Sequence, residues 1–310
     1  MSKLQKVTRP PLDELARTLN SFDSRHRVDH VFCDWVEMCA LAISNSVDIR
    51  QYDEREARYM TIVGKYSKEE ARKMAEMMAL LSLAMQDFDE PPLQAIMSRL
   101  ELGSASAMKH WGQFFSPFHL CLMMAKMNLC SGEDIRKVMG RKGFITVMEP
   151  CCGAGGMVLA AAKVLKDEGI NFQKHLHVSA VDIDPHCVHM TYVHLSLLGI
   201  PAIVYRGNAL STKMEEHWYT PMHVMDGWNA KRASADAMEL LDQVSGLVDQ
   251  VSDQHELPER IAQEPVAEAP IAIMAPDPIP PDPALPEIPI QRPGIMQWKI
   301  IADDAVSSLP

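Results

Sequence analysis

Apolar residues recur at helical spacing through the first hundred positions. Over residues 28–47 an apolar side chain returns every three or four positions, which predicts an amphipathic helix. A second helix is predicted to begin at Ser67, because Ser67 and Glu70 have the spacing of a capping box. A shorter helical piece is predicted over 93–102. The pattern therefore predicts an all-helical N-terminal domain over residues 1–105.

From residue 144 onward, short apolar runs alternate with helical patterns, and no alternating strand pattern appears before about that residue. Strands are predicted over 144–148, 177–181 and 202–205, and the intervening helices over 158–167 and 185–198. This alternation predicts βαβ units with a parallel sheet, whose ligands bind at the carboxyl ends of the strands.

The C-terminal part has a different composition. A helix is predicted over 233–251, and eleven of the 21 prolines fall between Pro258 and Pro293. An acidic, proline-rich stretch of this kind is typical of an extended linker. The predicted divisions after the helical domain are an α/β domain over 106–230, a helix and linker over 231–295, and a tail over 296–310.

The distribution of charge and the spacing of the cysteines indicate which ligands and which cellular compartment suit the protein. The formal net charge is −11, but residues 230–310 hold five basic and fourteen acidic residues, against 25 and 27 in the remainder. This distribution leaves DNA binding by the folded part open without supporting it. Seven cysteines without a Cys-x-x-Cys pair predict reduced thiols, with no disulfide framework and no metal site. No signal peptide or membrane span is expected, so we expect a cytoplasmic protein.

A glycine-rich turn follows the first predicted strand and opens a helix. It reads Glu149-Pro-Cys-Cys-Gly-Ala-Gly-Gly-Met157. Glycines allow a ligand close to the backbone, and the helix N-terminus beyond offers free N–H groups. The turn lacks the Gly-Lys-Ser/Thr of a phosphate-binding loop, and Gly-x-Gly-Gly is not the dinucleotide fingerprint Gly-x-Gly-x-x-Gly. A purely structural turn is the alternative.

Polar residues end the next two predicted strands. Asp182 is positioned to accept both hydroxyls of a ribose, whereas Asp184, just before Pro185, is expected to cap the following helix. Asn208 either contacts the edge of an adenine ring or serves as a turn asparagine, and the sequence favours neither. Upstream, the segment 111–118 is either a lid over a flat ligand or a helix start that packs on the core, with Ser116 as its cap and Pro117 at its first position.

Together these segments resemble the N6-adenine DNA methylases related to type I restriction-modification subunits, in their phage and plasmid branch. The resemblance covers about residues 28–230 and rests on Gly112-Gln-Phe-Phe-Ser-Pro117, the glycine turn, Asp182-Ile-Asp-Pro-His-Cys-Val-His-Met190 and Gly207-Asn-Ala-Leu210. It implies a Rossmann-like class I methyltransferase sheet, whole or truncated, with S-adenosylmethionine (SAM) as cofactor. It implies cofactor contacts from Phe115, Ser116, Pro117, Glu149, Pro150, Gly153, Gly155, Gly156, Asp182 and Asn208.

The function implied is site-specific methylation of adenine N6 in duplex DNA, with the target base flipped out of the helix and a protein partner as a candidate source of specificity. Family members carry Asn/Asp/Ser-Pro-Pro-aromatic after the fourth strand. There the amine donates to the polar side chain and a proline carbonyl, and the aromatic ring stacks on the base. No such motif follows Asn208. Glu90-Pro-Pro-Leu93, Ala275-Pro-Asp-Pro278 and Ile279-Pro-Pro-Asp282 are interpreted as coincidences, so the catalytic residues stay unassigned.

Three functions are therefore open. The first is an active DNA methyltransferase with an unusual or incomplete amine site. The second is a catalytically deficient SAM-binding regulator or anti-restriction partner of a methylase, and the third is a methyltransferase acting on protein, RNA or a small molecule. A cluster of aromatic and histidine residues over 217–223, with Trp228, is interpreted as cover for the sheet rather than as a base-stacking site.

Overall fold

The computed structural model describes residues 10–86, 90–100, 115–129 and 131–254. Every element described before residue 144 is helical, as the apolar spacing predicts. These helices are α1 (Pro11–Asn20), α2 (Val28–Asn45), α3 (Tyr52–Val63), α4 (Lys68–Ala84), α5 (Pro92–Arg99), α6 (Phe118–Leu129) and α7 (Gly132–Met139), with 3-10 turns at Ile49–Gln51 and Gly140–Lys142.

Specific polar contacts within and between the N-terminal helices add to their apolar packing. The capping box of α4 is present: the Ser67 hydroxyl accepts the Glu70 N–H, and the Glu70 carboxylate accepts the Ser67 N–H. The buried Trp35 indole on α2 donates to the Met74 carbonyl on α4 at 3.1 Å. These bonds satisfy polar groups that would be costly to bury alone.

The sheet has four strands in the order β1-β2-β3-β4. Its strands are β1 (Ile145–Glu149), β2 (Leu176–Asp182), β3 (Ala202–Asn208) and β4 (Lys213–Tyr219). The helices that follow the first two strands are α8 (Gly156–Asp167), α9 (Phe172–His175) and α10 (Pro185–Leu198). Because β1, β2 and β3 pair in parallel, the predicted βαβ units and α/β fold class are confirmed.

The fourth strand is not predicted by the sequence pattern. It pairs antiparallel with β3, and Trp218 is its only buried side chain, so the segment shows no regular apolar alternation. Trp218, His223 and Trp228 are all buried, as expected for residues that cover the sheet. His177 on β2 contacts His223 at 2.9 Å between ring nitrogens, and burial lowers the pKa of His177 to about 3.

One hydrophobic core runs from the N-terminal helices into the sheet, with α2 packed against α10. The described residues up to Ala237 belong to one compact unit, and those from Met238 to Gln254 belong to a second. The short helix α11 (Pro221–Met225) lies in the first unit, and α12 (Trp228–Gln254) begins there. The domain divisions suggested by composition stay predictions.

Candidate functional site

The glycine turn between β1 and α8 requires glycine at two positions. Gly153 has φ +53° and Gly155 has φ +82°, in the left-handed region that side chains rarely adopt. A Cβ on Gly155 would lie 3.2 Å from the Thr191 hydroxyl and 3.3 Å from a Leu159 methyl carbon. The turn is therefore fixed both by its backbone angles and by close packing.

Asp182 joins the first two turns of the sheet. Its Oδ2 accepts the Gly153 N–H at 2.8 Å, and its Oδ1 accepts the Asp184 N–H at 3.0 Å. A carboxylate offers about four acceptor positions, so the group retains capacity for a ligand hydroxyl. Asp184 accepts the His186 N–H at 2.8 Å and is the N-cap of α10, as predicted, with Pro185 at the first helical position.

Two buried side chains of α10, Thr191 and His194, contact the backbone of the glycine turn. The Thr191 hydroxyl donates to the Gly153 carbonyl at 2.8 Å, and His194 Nδ1 lies 2.9 Å from the Ala154 carbonyl. His194 Nε2 also accepts the Leu93 N–H at 3.1 Å, which satisfies a free donor at the start of α5.

The contacts of His194 define its protonation state. A carbonyl partner at Nδ1 requires an N–H there, and a donor partner at Nε2 requires a lone pair, so the ring is the neutral Nδ1–H tautomer. Burial lowers the pKa of His194 to about 4, although the hydrogen bond with Ala154 opposes this shift. Sequence reasoning missed both Thr191 and His194, whose only signal is polarity inside a largely apolar helix.

A second acidic side chain borders the turn. Burial raises the pKa of Glu149, with a further contribution from the negative charge of Asp182, while the hydrogen bond from the Cys151 N–H opposes the rise. Glu149 is half-buried, and Pro150 is exposed. The turn is thus lined by two carboxylates, an arrangement that favours a ligand with positive charge.

The aromatic segment upstream meets the same turn. A Cβ placed on Gly153 would lie 3.1 Å from the nearest ring carbon of Phe115, so the phenyl ring packs directly on the glycine. Ser116 and Pro117 are exposed, and the Ser116 carbonyl accepts the Gln94 amide at 3.2 Å. The helix begins at Phe118, one residue later than expected. The remaining lid residues, 111–114, lie outside the described residues.

Asn208 at the end of β3 has a local role. Its side-chain oxygen accepts the Leu210 N–H at 2.9 Å and the Ser211 N–H at 3.2 Å, which closes the turn into β4. The residue is exposed. The turn role suggested by the sequence is present, and a contact with adenine stays a prediction.

The segment Glu90-Pro-Pro-Leu93 lies beside the glycine turn, which sequence reasoning did not anticipate. A Cβ on Gly156 would be 3.9 Å from the Pro91 ring. The Pro91 carbonyl accepts the Ala95 N–H as α5 begins, so it is engaged in the helix. We therefore interpret this segment as packing for the turn, and the two proline motifs of the linker lie outside the described residues.

The described residues were also compared with the requirements for a disulfide, a metal site and a membrane span. None of the six described cysteines forms a disulfide, and Cys151 is the exposed one. Within the described ranges, no group of three His, Cys, Asp or Glu residues is arranged to hold a metal ion. None of the helices in those ranges is long and apolar enough to cross a membrane.

Comparison with known proteins finds a family match over the central segment. Residues 100–228 match the family model described as N-6 DNA Methylase, and this range contains every predicted cofactor residue. The resemblance found in the sequence motifs is therefore confirmed over residues 100–228. A search of curated proteins found no match.

Two solved structures are similar to the chain at low identity. One is described as a class I S-adenosylmethionine-dependent methyltransferase from Listeria monocytogenes: identity is 14%, the TM-score is 0.32, and the match covers 61% of this chain and 56% of that one. The other is the type I restriction-modification system methyltransferase subunit from Streptococcus thermophilus, with 12% identity, a TM-score of 0.30, and coverage of 66% and 58%. The chain thus spans a little over half the length of either protein.

Proposed function

We propose that this protein is a SAM-dependent DNA methyltransferase that modifies the N6 amine of adenine. The observation that carries the proposal is the glycine turn after β1. There the Gly153 N–H donates to Asp182, and the Gly153 carbonyl accepts the Thr191 hydroxyl. This turn lies inside the segment that matches the N-6 DNA methylase family. That match supports a SAM-dependent methyltransferase, and adenine specificity is our extension of it.

The residues at the turn fit SAM. An added Cβ would crowd its neighbours at 3.1 Å on Gly153 and at 3.2 Å on Gly155, so both positions favour glycine. The carboxylates of Glu149 and Asp182 complement a sulfonium cation. We assign Asp182 to the ribose hydroxyls. Glycines 153, 155 and 156 with Glu149 and Pro150 would cradle the methionine part, flanked by Phe115, Ser116 and Pro117, and Asn208 would lie near adenine.

SAM would supply an electrophilic methyl group on its sulfonium. The chain would hold the target amine in line with the carbon–sulfur bond, so that nitrogen forms the new bond as sulfur leaves and the amine then loses a proton to solvent. Positioning supplies most of the rate in such a transfer. Because the amine lies within the duplex, the adenine must be flipped out to reach the methyl group.

The biological setting follows from the resemblance to methylases of phages and plasmids. We propose a restriction-modification or mobile-element role in the cytoplasm, with site specificity supplied by a protein partner. Free thiols at Cys33, Cys121 and Cys152 fit a reducing compartment.

Methyl transfer to DNA tests the proposal directly. The full chain is incubated with SAM labelled in its methyl group and with unmethylated duplex DNA, and the digested nucleosides are separated by mass spectrometry. We expect N6-methyladenine with the wild-type protein and none with Gly155→Asp. Label in cytosine, or label in RNA or protein but not in DNA, would contradict the proposal.

A second function is favoured by one specific observation, the antiparallel strand after β3. The chain turns at Asn208 directly into β4, and no Pro-Pro-aromatic motif follows in the sequence. A catalytically deficient SAM-binding partner of a methylase would have this organisation. Calorimetric SAM binding without transfer to any DNA, together with stimulation of a co-expressed modification subunit, would favour this function over the first.

A further inference from the structure

A charged cavity lies on the N-terminal helices, beside the turn that carries Asp184. It has a volume of about 530 Å³ and is bordered by the loop before α2, the first turns of α2, the residues between α3 and α4, and the start of α10. Three of its side chains are permanent cations: Arg25, Arg27 and Lys65. Sequence reasoning did not single out any of them.

Each cation is paired with a carboxylate that is less exposed than itself. Arg27 donates from Nε and Nη2 to Asp29, at 3.1 and 2.7 Å, and Lys65 contacts Asp34 at 3.1 Å. The side chains of Arg25, Arg27 and Lys65 are 71%, 64% and 51% exposed, whereas their partners Asp23, Asp29 and Asp34 are 45%, 12% and 18% exposed.

This arrangement separates charge across the wall of the cavity. Asp29 and Asp34 lie deeper than their cations, and burial, with the negative charges of Asp29, Asp34 and Asp184, raises the pKa of the Cys33 thiol. The cations lie outward, and the two bonds from Arg27 to Asp29 orient its guanidinium plane while its Nη1 hydrogens take no part in them. The mouth of the cavity, formed by these three cations, therefore presents positively charged N–H donors to solvent. The paired carboxylates hold the donors in position.

The ligand chemistry that fits such a mouth is the phosphodiester anion. Arginine and lysine N–H groups bind phosphate oxygens without reading a base, and they fix the position of a duplex on a protein. The cavity also adjoins the turn that follows Asp182, through Asp184. A duplex whose flipped base reaches the cofactor turn would need its backbone held close by.

We propose that Arg25, Arg27 and Lys65 form a binding site for the phosphate backbone of the DNA substrate. This inference rests on the proposed function and adds to it the surface that holds the duplex. It assigns the N-terminal helices to DNA positioning, alongside their packing role.

Salt-dependent DNA binding tests the site. Binding of a fluorescein-labelled 20-bp duplex is followed by anisotropy across a series of KCl concentrations, for the wild type and for a variant with Arg25→Gln, Arg27→Gln and Lys65→Gln. Each phosphate contact contributes about 0.9 to the slope of log K against log salt. We expect the slope to fall by about two to three and the affinity to fall at least about tenfold at low salt.

A charge-matched control separates a local site from a general charge effect. Arg17, Lys137 and Lys231 are exposed cations, each in an ion pair with a nearby carboxylate. Their triple change to Gln removes the same charge, and we expect most of the slope to survive. Equal losses in the two triple variants, or an unchanged slope in the first, would overturn the proposal. If the first triple variant fails to fold, Arg25→Gln alone should lower the slope by about 0.9.

Further measurements distinguish DNA phosphate from free phosphate, and failure of the proposed site from failure of the proposed function. If inorganic phosphate raises the melting temperature of the wild type but not of the triple variant, while DNA binding is equal in both, the site binds free phosphate and the DNA proposal is wrong.

Calorimetric SAM binding is measured on each protein. Wild type that binds SAM but no duplex would reject both this site and the DNA substrate of the proposed function, whereas wild type that methylates DNA with an unchanged variant slope would reject the site alone.

Discussion

The turns after β1 and after β3 end parallel strands of one sheet, yet they are held in different ways. The first is fixed by distant parts of the chain: Asp182 accepts the Gly153 N–H, Thr191 donates to the Gly153 carbonyl, and His194 donates to the Ala154 carbonyl. The second is closed by its own residue, Asn208. A preformed cofactor site can therefore be expected at the first turn, and only a local, exposed turn at the second.

The largest effect is expected at Gly155. Gly155→Asp must hold a side chain at φ +82° and within 3.2 Å of the Thr191 hydroxyl. Left-handed strain of about 1–2 kcal/mol and overpacking of similar size would displace the turn. We expect SAM affinity, measured by calorimetry, to fall about 100-fold or more.

Gly169 provides the matched control for this change. It also has positive φ, +69°, but no atom lies within 4 Å of its added Cβ. Gly169→Asp should cost about 1 kcal/mol of unfolding free energy and leave SAM affinity as in the wild type. Equal SAM affinities for the two variants would show that the turn after β1 is not the cofactor site.

The next largest effect is expected at Asp182. Asp182→Asn replaces a charged acceptor of two N–H groups by an amide with one acceptor oxygen, and it removes charge that would bind ribose hydroxyls. Charge-assisted hydrogen bonds contribute about 1.5–3 kcal/mol, so we expect SAM affinity to fall about tenfold to 100-fold.

Asp134 is the control for that substitution. It accepts the Ser131 N–H in the capping box of α7, outside the cofactor turn. Asp134→Asn should lower helix stability slightly without changing SAM affinity. A similar loss of affinity in both variants would mean that Asp182 acts through general stability rather than through the ligand.

These differences also explain what could be predicted from sequence. The strands β1 to β3 and their helices depend on local apolar runs, and Asp182 and Asn208 follow from strand ends alone. The support from Thr191 and His194 depends on contacts separated by 38 and 40 residues along the chain, which no local pattern encodes. β4 was missed because a single buried Trp218 gives no alternation.

The pH dependence of stability tests the buried His194, which supports the first turn. In the unfolded chain His194 binds a proton near its ordinary pKa of 6.5, while in the folded chain its pKa is about 4. Between these values the unfolded state binds more protons, so stability falls as pH falls. We expect His194 to contribute about 1.4 kcal/mol of destabilisation per pH unit in this window.

Chemical denaturation at a series of pH values measures that slope. In His194→Gln the free energy of unfolding should be lower at pH 7 and should change less between pH 6.5 and pH 4 than in the wild type. His119 is an exposed histidine on α6, and His119→Gln should keep the wild-type slope. An unchanged slope in His194→Gln would mean that the imidazole does not hold the turn in its neutral form.

The smallest effect is expected at the second turn, where Asn208 can be separated into its two groups. Asn208→Ala removes the oxygen that accepts the Leu210 and Ser211 N–H groups, at a cost of about 1 kcal/mol in unfolding free energy. Asn208→Asp keeps that oxygen, but it replaces the amide donor by a second acceptor oxygen and adds a negative charge. If Asn208 serves the turn alone, both variants bind SAM within about threefold of the wild type, a difference below 1 kcal/mol. If its amide also contacts adenine, Asn208→Asp loses affinity while its stability stays closer to that of the wild type. The second result would extend the preformed site to β3 and remove the contrast between the two turns.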